Sequence, residues 1–228
     1  MNFGKFILGL VLCTSLVVNC DTSLKPHEEW WEKNIDTMVP TFAGWLGGCS
    51  SPSRVKTRQH LRAKNYKSIL DIPCGLGIDY FGYKEDSMDI EYLGIDITPK
   101  LVELAKEKNI PVRQGSIEDI PCFDSSFDVC YSRHILEHLS YYETAIQELI
   151  RVAKFEVLII FFIKPTDAPD RIVFDTDPNW LIYHNYYNRQ KLEKYVLSNS
   201  KTKSIEWEDV NEKEVLLHIY LKQTTIEQ

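Results

Sequence analysis

Short apolar runs alternate along this chain with segments whose apolar positions recur every three or four residues, the mark of strands interleaved with amphipathic helices. Residues 66–72 form the first run, ended by Pro73, Gly75 and Gly77, which predicts a buried strand and then a tight loop. Residues 91–97 repeat the pattern. Thr98 is placed to cap the helix that follows, with Pro99 at its first position, Leu101, Val102, Leu104 and Ala105 on its apolar face, and Asn109 and Pro111 to stop it. Residues 112–115 and 127–132 predict a third and a fourth strand. Ser140 with Glu143 reads as a capping box opening a helix that turns Ala145, Ile146, Leu149 and Val152 inward. Residues 155–163 are apolar on both faces and belong in the middle of a sheet. A last helix fits residues 189–197. Residues 204–208 and 215–221 then predict a hairpin around Asn211 that closes one sheet edge. Repeated strand-helix-strand units give an α/β fold, a mainly parallel sheet covered by helices on both sides with a C-terminal antiparallel hairpin.

The first 62 residues stand apart from this pattern. Lys5 precedes an apolar stretch over residues 6–18, with Cys20 and Asp21 just beyond, the layout of a signal-like or anchor segment over residues 1–20. The stretch is short for a membrane span, which needs about 20 residues. Lipidation of Cys20, an uncleaved anchor, an extension folded onto the domain and a start codon assigned too far upstream all remain open. Residues 21–62, with Trp30, Trp31 and Trp45 before a glycine- and serine-rich turn, predict helix, turn, helix as an N-terminal extension to a domain over residues 63–228.

Composition narrows the partners. A length of 228 residues suits one α/β domain, and a formal net charge of -7 withholds the basic field that gives general affinity for nucleic acid. No nucleic-acid partner is therefore expected. The six cysteines form no C-x-x-C pair, so neither a zinc site nor a disulfide framework is expected, and nothing in the local spacing calls for a metal.

In parallel sheets ligands sit beyond the C-terminal strand ends. After the first strand comes Asp71-Ile72-Pro73-Cys74-Gly75-Leu76-Gly77, whose glycines allow close backbone approach. Tyr80 stands where a nicotinamide-binding loop has its third glycine. Asp96 closes the second strand where a carboxylate can accept from both hydroxyls of a ribose. Residues 115–121 then read Gly-Ser-Ile-Glu-Asp-Ile-Pro, residues 127–129 Phe-Asp-Val, and residues 135–139 Ile-Leu-Glu-His-Leu. In this order and spacing, over residues 68–154, the chain resembles class I S-adenosylmethionine (SAM) dependent methyltransferases of the ubiquinone and menaquinone biosynthesis type.

The resemblance implies a Rossmann-like three-layer sandwich with SAM as cofactor. It implies that Asp71 and the loop from Gly75 to Gly77 hold the methionine moiety, Asp96 the ribose, and Ser116 and Ile117 the adenine, with Pro73, Cys74 and Ile97 also in the cofactor site and Ser132 beside the transferred methyl group. Ser116 departs from the family pattern, which has Asp there, and a hydroxyl accepts more weakly than a carboxylate, which implies modest SAM affinity. His134 and His138, four residues apart, are read as sharing a helix face, His134 as a general base and His138 as a second such group or a packing residue. Arg133 is expected at the surface or facing the substrate. The aromatic stretch over residues 180–187 falls where such enzymes build the acceptor pocket.

The expected activity is methyl transfer to a small molecule, a lipid-like compound or a sugar. A cytosolic protein is expected, because SAM is made there, with residues 6–18 as a membrane tether. Two other readings stay open at this point: a Rossmann-like oxidoreductase, and a non-catalytic SAM-binding or membrane-tethered protein.

Overall fold

The computed structural model describes residues 24–45, 48–177 and 181–223. Its strands are β1 (Ser68–Asp71), β2 (Glu91–Asp96), β3 (Val112–Gln114), β4 (Phe127–Arg133), β5 (Ala153–Phe161), β6 (Thr202–Asp209) and β7 (Val215–Leu221). Its helices are α1 (Pro26–Trp45), α2 (Pro52–Lys64), α3 (Ile78–Glu85), α4 (Pro99–Glu107), α5 (Glu143–Val152) and α6 (Arg189–Ser198). The strands make one sheet in the order β3-β2-β1-β4-β5-β7-β6. β1 to β5 pair in parallel, and β7 runs antiparallel to both β5 and β6. The predicted α/β sheet and its C-terminal hairpin are both present.

β5 is apolar on both faces because it lies between β4 and β7 with a core layer on each side. Val157, Ile159 and Phe161 join one layer with Ala145, Ile146 and Leu149 of α5 and Leu192 and Val196 of α6. Leu158 and Ile160 join the other with Leu61 of α2, Tyr83 of α3 and Val102 of α4. Each fully buried Leu or Ile contributes about 1.5–3 kcal/mol, so these layers dominate the stability.

Two local expectations fail. Ser140 caps nothing; the residue before α5 is Tyr142, in helical conformation with no side-chain cap. Tyr142 is fully buried against Tyr187 and Tyr195, so ring packing sets this helix start in place of a capping box. β1 starts at Ser68 because α2 runs on to Lys64 and ends through Asn65 at φ 55°, which leaves Tyr66 in the turn. The apolar segment over residues 1–20 lies outside the described residues. Among those described, no helix is long and apolar enough to cross a membrane.

Candidate active site

Asp71 is the last residue of β1 and is buried, accepting a hydrogen bond from the Tyr92 hydroxyl at 2.7 Å. The chain then leaves the sheet through Pro73 and Cys74, whose N–H donates to the Ile95 carbonyl at 2.9 Å. Gly75 and Gly77 follow at φ +53° and +67°, a region costly for any residue with a Cβ. Their surroundings differ. Among the described residues a Cβ on Gly75 would meet nothing within 4 Å, whereas one on Gly77 would lie 2.5 Å from Ile110 Cδ1. Gly75 therefore leaves room for a ligand, and Gly77 lets the loop pack on the turn before β3.

Asp96, at the end of β2, ties this loop to α4. Its Oδ2 accepts from Gly75 N and its Oδ1 from Thr98 N, each at 2.9 Å. Burial pushes its carboxyl upward even against these bonds, and Glu32 adds to the shift. Asp71 is pushed well up by burial and by Asp79 on α3, with Arg54, which donates to Asp79 at 2.9 Å, opposing. Two buried acids thus face one guanidinium, and a cationic ligand beside them would favour their ionised forms. The Cys74 thiol is also raised, by burial first and then by Asp96 and Asp71.

The remaining expected cofactor residues line the same edge. Ile97 is half-buried and its carbonyl accepts from Gln114 Nε2 at 3.2 Å. Ser116 is half-buried, with its hydroxyl accepting from Glu118 N at 3.1 Å, and Ile117 beside it is buried. Helix α1 crosses this edge. Lys25 pairs with Glu118, Glu32 accepts from Lys100 N at 3.2 Å at the start of α4, and Ile35 packs on Leu76 and Leu101. Nothing in the hydrophobic pattern assigns α1 such a role; only the paired Trp30 and Trp31 point to a buried face.

At the end of β4, Ser132 is fully buried and its Oγ has no hydrogen-bond partner among the described residues. Arg133 is not at the surface as expected: its guanidinium is buried, donating to Glu214 Oε1 at 2.9 Å and to Ser53 Oγ at 3.1 Å. His134 Nε2 lies 2.8 Å from the same Glu214 oxygen. Burial lowers the His134 pKa to about 4, with Arg133 adding and Glu214 opposing, so the ring is neutral near pH 7. The Glu214 carboxyl is held down at about 2, where its partners His134, Arg133 and Ser53 outweigh the effect of burial.

His134 and His138 do not share a helix face. His134 sits at φ 57°, and residues Leu136–His138 form a 3-10 turn. Their rings instead meet Phe162, with centroids 5.2 and 5.1 Å away. His138 Nδ1 lies 2.7 Å from the Tyr183 carbonyl, so this nitrogen carries the proton and donates, and Trp31 of α1 meets the ring edge-on. Between the two histidines, Glu137 is buried, and its Oε1 accepts from Phe162 N and Ile163 N at 2.8 and 3.1 Å. Burial pushes its pKa up to about 7. In the expected acceptor stretch, Trp180 lies outside the described residues, Asn185 and Tyr187 are buried packing residues, and Tyr183 and His184 are half-buried.

Residues 70–161 match a protein-family profile described as a methyltransferase domain. This span forms the core of a class I, SAM-dependent methyltransferase domain. The ajmaline N-methyltransferase of Rauvolfia serpentina is 32% identical to this chain over 105 residues, 42% of this chain and 36% of that protein. The demethylmenaquinone methyltransferase of Lactococcus lactis is 31% identical over 109 residues, 44% of this chain and 43% of that protein. The alignments to the curated relatives span between about a third and a half of their length. Among solved structures, the 1,6-didemethyltoxoflavin-N1-methyltransferase of Burkholderia thailandensis, with bound 1,6-didemethyltoxoflavin and S-adenosylhomocysteine, superposes with a TM-score of 0.61 at 13% identity, over 88% of this chain and 92% of that one. The YcgJ protein of Bacillus subtilis superposes with a TM-score of 0.55 at 17% identity, over 70% of this chain and 93% of that one. The fold of the methyltransferase domain is thus that of the Rossmann-like enzymes, and the Gly75 opening and the acidic edge fit its cofactor, SAM.

Proposed function

We propose that the chain transfers a methyl group from SAM to a small acceptor bearing a nucleophilic oxygen, nitrogen or carbon. The observation that carries this reading is the linkage of Gly75 and Asp96: a carboxylate at the end of β2 holds the glycine loop through one oxygen and Thr98 at the start of α4 through the other, and carboxylate oxygens can accept further bonds from ribose hydroxyls. SAM, when bound, supplies a methyl group already activated by its sulfonium.

The chain's own residues bind, orient and manage charge. Gly75 admits the methionine end, Asp71 and Asp79 favour its cationic groups, and Ile117 offers an apolar face to the adenine. Ser116 accepts weakly, which keeps affinity modest. His134 is the base: with Glu214 ionised, Nε2 carries the proton and donates to it, so Nδ1 is the basic atom. His138 holds the segment after β5 through Tyr183. The half-buried rings of Trp31, Phe162 and His184 around His138 favour an acceptor with apolar surface. The work is placed in the cytosol, where the donor is made.

Isothermal titration of SAM and S-adenosylhomocysteine into the full chain tests the cofactor site, with micromolar binding of both expected. Absence of binding by the folded protein overturns the reading. Labelled-methyl transfer to a panel of phenols, amines and quinone precursors then tests the acceptor class, and His134→Gln should lower turnover while leaving SAM affinity unchanged.

A further inference from the structure

A second constellation lies toward the opposite end of the sheet from the cofactor loops. His60 on α2, Glu156 on β5 and His218 on β7 converge, although Glu156 is 96 positions from one histidine and 62 from the other. His60 Nε2 is 2.8 Å from Glu156 Oε2, and His218 Nδ1 is 2.8 Å from Oε1. The two imidazoles meet edge to face with centroids 4.7 Å apart. One ligand atom from each residue lies within 4.8 Å of the others. The Glu156 and His218 side chains are buried, and His60 retains 16% exposure.

The other hydrogen bond to Glu156 comes from the Tyr66 hydroxyl, at 2.7 Å. Among the described residues no lysine or arginine pairs with this buried carboxylate. A buried charge of this kind is costly unless compensated, and two imidazoles with one carboxylate are the donor set of a borderline transition metal rather than of calcium or magnesium, which take oxygen ligands. The surroundings continue the pattern. His218 Nε2 faces Glu208 Oε2 at 3.4 Å, and Glu208 is itself paired with Lys56. Metal-bound histidines commonly give their second ring N–H to a carboxylate in this way.

We propose that His60 Nε2, His218 Nδ1 and a Glu156 oxygen bind one Zn²⁺, with water in the fourth position. Tetrahedral zinc with bonds of about 2.0–2.2 Å spaces its ligand atoms about 3.3 Å apart, so the present contacts open by about half an ångström as the ion replaces the shared protons. A surface concavity lined by Tyr66 and Tyr220 lies beside the cluster, and Tyr220 stacks on His218. The ion's role is structural: it clips α2 to β5 and β7. This inference does not rest on the proposed methyl transfer.

Zn²⁺ calorimetry and Co²⁺ absorption on the metal-stripped full chain test it. One ion per chain is expected, with a rise in Tm of about 5–10 °C at saturating Zn²⁺. The Co²⁺ spectrum should show tetrahedral d–d bands without thiolate charge transfer, which separates this site from the cysteines. His60→Gln changes the one ligand that keeps some exposure and should fold, yet weaken Zn²⁺ binding by at least about 100-fold, as should His218→Gln. Glu208→Gln keeps all three ligands and should weaken binding about 10-fold. Absence of stoichiometric binding, a thiolate band, or unchanged affinity in both histidine variants overturns the proposal; a network held only by hydrogen bonds gives no zinc-dependent rise in Tm.

Discussion

The β1–β3 side and the β4–β7 side hold their loops in different ways. On the first, backbone groups do the holding: Gly75 N and Thr98 N meet one carboxylate, and the positive φ of two glycines shapes the turn. On the second, side chains far apart in sequence do it: Arg133 and His134 meet Glu214, and His60 and His218 meet Glu156, each cluster reaching across to α2. Backbone holding leaves short motifs, and side-chain holding leaves scattered single residues. The two designs should also fail differently when broken.

The largest loss is expected on the side-chain side. Glu214→Gln leaves the buried Arg133 guanidinium without its counter-charge, and urea unfolding should show about 3–5 kcal/mol of lost stability. A loss below about 1 kcal/mol would mean that water reaches this cluster. Gly77→Ala should cost about 2–4 kcal/mol from positive φ plus the clash with Ile110. Adding Ile110→Val should recover the steric part and leave the φ part, and no recovery would show that the loop has moved instead.

Asp96→Asn should weaken SAM binding about 30-fold, roughly 2 kcal/mol, because charge-assisted hydrogen bonds become neutral ones. An unchanged titration would remove Asp96 from the site. The smallest effect is with pH. The His134 pKa is lowered when folded, so the unfolded chain binds the proton first, and the contribution of His134 to stability falls as pH drops from 6.5 toward 4, while Glu137, raised to about 7, contributes the opposite slope. At pH 5 the His134 share amounts to about 1–2 kcal/mol, and in urea titrations between pH 7 and 5 His134→Gln should lose that share and keep the opposite slope of Glu137. Glu214, with its folded pKa near 2, adds a further loss only as pH falls from 4.5 toward 2.

The same contrast explains what could be read from the chain. The Asp71 to Gly77 loop, Asp96, and the strands around them were legible because their causes are local: an apolar run, a glycine turn and an acid at a strand end. Residues 155–163 pointed to a central strand because burial on both faces leaves no alternation. Tyr142, by contrast, starts α5 through rings supplied by Tyr187 and Tyr195, and no capping rule sees that. Arg133 looked like a surface residue because its partner Glu214 comes 81 positions later, beyond β5 and α6. His134 and His138 have helical spacing, but the left-handed turn at His134 breaks the helix that the spacing assumes. The cysteine spacing led away from a metal, whereas the proposed ligands are two histidines and a glutamate brought together by the sheet.

Cys74 carries one further consequence. It lies in the loop proposed to approach an activated methyl group, and a thiolate there would compete with any acceptor for that methyl. Its thiol is 7% exposed and its pKa is pushed well up by burial and by Asp96 and Asp71. It stays protonated, and a thiol is a poor nucleophile beside a thiolate. The carboxylates read as ligand groups therefore also protect the protein from alkylating itself, and intact mass after long incubation with SAM should show no methyl added at this residue.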